Sequence, residues 1–66
     1  MKVLRLKDVQ NMTGLSRATI YAHMSQGKFP HSITLGKGSI GWLESEVQEW
    51  IQVRVKQRDE YLGSGK

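Results

Sequence analysis

The chain has 66 residues, no cysteine, a formal charge of +4 and 38% hydrophobic residues. A domain of this size buries only about 60% of the surface its unfolded form exposes. Packing in a single small core must therefore hold it together, without a disulfide or thiolate staple. His23 and His31 alone are too few for a structural zinc site.

The charge is unevenly distributed. Residues 1–43 carry Lys2, Arg5, Lys7, Arg17, Lys28 and Lys37 against Asp8 alone, whereas residues 44–66 are nearly balanced. A cationic first part suits a polyanion such as nucleic acid, although charge alone fits a merely solvated surface equally well. The opening residues have charges at Lys2, Arg5, Lys7 and Asp8, which leaves no apolar run for a secretory signal. No stretch is apolar enough to span a membrane. A cytoplasmic location is expected, so Asn11-Met12-Thr13 is a glycosylation sequon by pattern only.

In chain order, Leu6, Val9 and Met12 recur at helical spacing and predict a short helix over about 7–13, stopped by Gly14. Ser16 is a suitable N-cap for a second helix over 17–26, whose Ile20 and Met24 share one face. Gly27 and Pro30 end it. Two short helices joined by a glycine turn make a helix-turn-helix candidate. Beyond Pro30 the period changes: Ile33-Thr34-Leu35 and Ile40-Gly41-Trp42 alternate round Gly36–Ser39, which predicts a β-hairpin.

A third and longest helix opens at Glu44-Ser45-Glu46. Ser45 and Gln48 are spaced as a capping box, and Val47, Trp50, Ile51, Val55 and Leu62 form its apolar stripe. Its early glutamates and later basic residues match the helix macrodipole, so these charges have a structural explanation. The domain is expected over 1–62, with 63–66 a disordered tail. The fold class is α+β, a small winged helix-turn-helix of two helices, a hairpin wing and a third helix.

Gly36-Lys37-Gly38-Ser39-Ile40-Gly41 matches the G-x-G-x-x-G pattern. A dinucleotide site needs those glycines to open a helix whose N-terminus holds the pyrophosphate. Here strand-like residues follow, so the pattern reads as a hairpin turn. No nucleophile–base pair is evident, and Ser16 is better used as a cap. His23, on a helix flank, reads as a packing residue. No catalytic or metal-binding residue, no cofactor and no small-molecule substrate is expected.

The second helix carries the functional signal. At 100° per residue Ile20 and Met24 point inward, while Ala18, Ala22 and Ser25 point outward with Thr19 and Tyr21 on the shoulders. A strip of small residues flanked by hydrogen-bonding ones lets a helix lie deep in the major groove. An ordinary solvated face would more usually carry Lys and Glu. Arg17 stands in the first turn, where recognition helices touch bases or phosphate. The wing tip offers Lys37 between two glycines, where the backbone can approach another surface. The candidate DNA-binding set is Ser16, Arg17, Ala18, Thr19, Tyr21, Ala22, Ser25, Lys28, Lys37 and Ser39.

The blocks TGLSRATIY, GKFP and LGKGSIGWLESEVQEWI resemble, in order and spacing, the AlpA family of short prophage regulators. That family is related to excisionases and to the DNA-binding domains of MerR-type regulators. The resemblance runs over about residues 4–54. It implies a regulator of transcription that binds duplex DNA, encoded by a prophage or genomic island, with integrase expression or excision directionality as its output.

By the same resemblance, Ser16, Arg17, Thr19 and Tyr21 fall in the recognition-helix block and Lys37 in the wing loop. Trp42, Glu44 and Trp50 fall in the block that packs the third helix. Ala22 and His23 stand where many relatives carry a longer basic or polar residue, a departure that bears on the operator sequence. So small a surface calls for further copies on adjacent sites, or for a protein partner such as an integrase. The rival reading is an interaction module, a small inhibitor that uses the same fold to hold a protein.

Overall fold

The computed structural model describes residues 1–64. In chain order they form β1 (Val3–Leu4), α1 (Leu6–Thr13), α2 (Arg17–Ser25), β2 (Ile33–Gly36), β3 (Ser39–Leu43) and α3 (Glu44–Ser64). The strands make an antiparallel sheet in the order β1-β3-β2. This is the α+β winged helix-turn-helix layout expected from the sequence, with β1 added.

The helix boundaries fall close to those expected. The Asp8 carboxylate accepts the Arg5 N–H at 3.1 Å, which satisfies a donor at the start of α1. Gly14, at φ 73°, ends the helix and donates to Gln10 O. Ser16 caps α2 by accepting the Thr19 N–H at 3.2 Å, and the helix closes at Ser25 with Gln26 as its C-cap.

β1 pairs Val3 with Leu43 and Leu4 with Trp42. A strand of two residues has no period to read, and only its antiparallel partner defines it. Its approach to β3 is close. A Cβ on Gly41 would lie 2.5 Å from Val3 Cγ1 and 2.9 Å from Leu4 O, so a side chain there would push β1 away. In the hairpin, Thr34 faces Ile40 and Gly36 faces Ser39, a register shift of one residue near the turn. Gly38, at φ 69°, takes the left-handed position of that turn with open space around it. Gly38→Ala should therefore destabilise by about 1 kcal/mol through backbone strain alone. The expected readout is a lower urea midpoint with an unchanged slope.

The start of α3 corrects the expected capping box. The helix begins at Glu44, directly after β3, so Ser45 lies inside the first turn and not at the N-cap. Strand pairing decides this junction: the Glu44 N–H donates to Lys2 O at 2.9 Å and prolongs the β1–β3 contact. Lys2 Nζ also lies 3.7 Å from Glu44 Oε2, in an exposed pair that contributes little.

The core draws one buried residue from each of six places: Leu4, Val9, Ile20, Phe29, Trp42 and Val47. Leu6, Leu15, Met24, Ile40, Trp50 and Ile51 pack round it. Three expected core positions lie outside. Met12 is exposed, and so are Val55 and Leu62 on α3. At 1.5 Å per residue the 21 residues of α3 span roughly 31 Å, whereas the two shorter dimensions of the molecule are 25 and 19 Å. The helix overhangs the sheet, and residues 52–63 of it are exposed. It also continues through Gly63 and Ser64, positions assigned to the tail from the sequence, while Gly65 and Lys66 lie outside the described residues.

Candidate nucleic-acid interface

α2 is fastened to the core by a narrow contact. Ile20 is fully buried and Met24 half-buried, while Arg17, Ala18, Tyr21, Ala22 and Ser25 are exposed and Thr19 partly so. The small outward strip therefore has the exposure that groove insertion requires. Several polar groups along it already have partners. Ser16 Oγ lies 2.9 Å from Thr19 Oγ1 as well as accepting its N–H, and Ser25 Oγ donates back to Ala22 O at 2.8 Å. These hydroxyls shape the helix and keep only part of their hydrogen-bonding capacity for a ligand.

Arg17 is different. It stands in the first turn of a helix with no acidic residue there, at the end where the macrodipole favours anions. The macrodipole therefore gives no reason for a cation at that place. Its guanidinium carbon sits 5.7 Å from the Tyr21 ring centroid, one helical turn away, which steadies the side chain. Among the described residues Lys2 pairs with Glu44 and Arg58 with Asp59, and neither pair involves Arg17, Lys28 or Lys37.

Lys37 is exposed at the tip of the wing, and Ser39 is partly buried where β3 begins. Lys28 is exposed just beyond α2. Its backbone is tied at both ends, the N–H to His23 O at 2.8 Å and the carbonyl to the indole Nε1–H of Trp50 at 2.7 Å. The Trp42 indole N–H likewise donates to Pro30 O at 3.1 Å. Trp42 is fully buried, but Trp50, expected in the apolar stripe of the third helix, is only partly so. No local pattern signals a bond between an indole and a carbonyl 22 residues away.

Among the described residues no group of three or more His, Asp or Glu could hold a metal ion. No described helix is long and apolar enough to cross a membrane.

The family model of the prophage CP4-57 regulatory protein (AlpA) matches residues 2–55. The chain belongs to the AlpA family. Among its relatives, a DNA-binding transcriptional activator AlpA from Escherichia coli is 39% identical over 62 residues, covering 85% of this chain and 89% of that protein. The uncharacterized protein ORF88 of Enterobacteria phage P4 is 40% identical over 57 residues, 86% of this chain. This chain spans 65% of the phage protein's length. The AlpA match takes in both helices of the helix-turn-helix, the wing and the first half of α3. It stops near Val55, where α3 has already left the core.

Proposed function

We propose that this chain binds duplex DNA as a transcriptional regulator of a prophage or genomic island, with α2 in the major groove and the wing tip against the phosphate backbone. The observation that carries this reading is Arg17, an unpaired cation in the first turn of an exposed helix that has small residues along its outward strip. The AlpA relative named as a DNA-binding transcriptional activator supports it. In this reading Arg17 reaches a base edge or phosphate, and Tyr21 and Thr19 flank the strip made by Ala18, Ala22 and Ser25. Ser16 sets the helix start, while Lys28, Lys37 and Ser39 meet the backbone. Promotion of integrase expression or excision is the output, in the cytoplasm, through several copies on adjacent sites or with an integrase. A single small module buries only about 600–1,000 Å² on DNA, which is why further contacts are needed.

The test is a binding titration against duplexes from the regulatory and attachment sites of a mobile element, repeated over a range of salt. Log affinity should fall linearly with log salt, because phosphate contacts release counterions. Lys37→Ala should weaken cognate and random duplexes by a similar factor and reduce the salt slope by about one unit. Superimposable parent and Lys37→Ala titrations would remove the wing from the interface.

One observation favours the rival, a protein-interaction module: Val53, Val55, Tyr61 and Leu62 are exposed along the overhanging half of α3. Under that reading duplex DNA would not bind, or would bind without the steep salt dependence.

A further inference from the structure

We propose that Trp50 is a positioning residue for DNA binding, acting through Lys28. This rests on the reading of Lys28 as a phosphate contact. The segment from Gly27 to Pro30 leaves the recognition helix and leads toward the wing. An exposed connection of this kind would ordinarily leave its lysine to sample many positions. Here Gly27, at φ 71°, turns the chain, and both backbone groups of Lys28 are tied. Its N–H bonds to the last turn of α2 and its carbonyl to Trp50 on α3. Phe29, the next residue, is buried, with its ring 4.9 Å from that of Trp50 at 67°.

The indole is itself held in place. The Arg54 guanidinium carbon lies 4.3 Å from its ring centroid, on the face of the ring where a cation is attracted. The ring therefore has packing that does not depend on its N–H. Both the donor and the Lys28 carbonyl are near enough to solvent for water to satisfy them, so their bond adds only modestly to stability. Its distinctive effect is geometric. It fixes the root of an exposed cation relative to α2, which lowers the ordering cost when that cation meets phosphate. Trp42 does the same for Pro30, two residues on, so the connection is fixed from two elements.

The test is a double-mutant cycle on a short mixed-sequence duplex, which suffices because a phosphate contact does not read sequence. Trp50→Phe keeps an aromatic ring between Phe29 and Arg54 and removes the donor. It should weaken binding about three- to tenfold. Lys28→Ala should weaken binding and lower the salt slope by about one unit. In the Lys28→Ala background, Trp50→Phe should have almost no further effect. Circular dichroism should show both variants folded; if Trp50→Phe is not, Trp50→Tyr takes its place in the cycle.

Additive losses would overturn the proposal, since Trp50 would then act on the fold as a whole. So would parent-like binding by Trp50→Phe while Lys28→Ala is weakened. Parent-like binding by Lys28→Ala would overturn it too, by removing the contact through which Trp50 is said to act. Failure of the parent to bind duplex DNA would instead defeat the functional reading on which the proposal rests.

Discussion

Trp42→Ala should destabilise the domain by about 3–5 kcal/mol, the range for truncating a buried large aromatic side chain. Trp42 is fully buried, and no other fully buried side chain among the described residues is larger. It lies on the central strand, opposite Leu4 of β1, and its indole N–H reaches the carbonyl of Pro30. Removing it opens a cavity where several elements meet and leaves that carbonyl without its donor. Small domains have total stabilities of only about 5–15 kcal/mol, so the loss removes a large fraction of the total and should lower the unfolding midpoint markedly. Urea unfolding followed by far-ultraviolet circular dichroism measures this directly. A midpoint near the parent's would mean that the core is not centred on Trp42. Trp50→Ala should be milder, because that ring is only partly buried.

Arg17→Ala should cost roughly 1–3 kcal/mol on the cognate duplex and little on random DNA, if its guanidinium reads a base edge. The fold should be untouched, since Arg17 is exposed and has no carboxylate partner among the described residues. Removing a cation from the first turn of α2 should even relieve a small unfavourable interaction with the macrodipole. Weaker binding together with unchanged or slightly raised thermal stability would separate a contact with DNA from a structural role. Equal weakening on cognate and random duplexes would make Arg17 a phosphate contact. Undiminished affinity on both would exclude it from the interface. Arg17→Lys refines the result: a lysine preserves charge but not the planar fork, so it should rescue a phosphate contact better than a base contact.

The parts of the fold that were legible in the sequence are those set by neighbours in the chain. Ser16 as a cap, Gly14 and Gly27 as stops and the change of period after Pro30 are local chemistry, and the structure places each accordingly. Asp8 at the start of α1 is equally local, although its bond to the Arg5 N–H was not anticipated. The candidate interface was legible for the same reason. On a helix of nine residues whose inward face is set by Ile20 and Met24, helical spacing alone leaves Arg17, Ala18, Tyr21, Ala22 and Ser25 exposed.

By itself, then, the sequence determined the order of helices and hairpin and the inward face of α2. Short-range sterics, capping and periodicity are sufficient for all of these. Tertiary structure alone decided the rest. β1 exists only because Leu4 and Val3 meet β3 across Gly41. α3 starts at Glu44 because Lys2 accepts its N–H. Helical periodicity marks Val55 and Leu62 as apolar but cannot say where the facing surface ends, and it ends before they are reached. The bonds from Trp50 and Trp42 to Lys28 and Pro30 join residues 22 and 12 apart. Such partners meet only when the whole core has packed, so no window along the chain contains them.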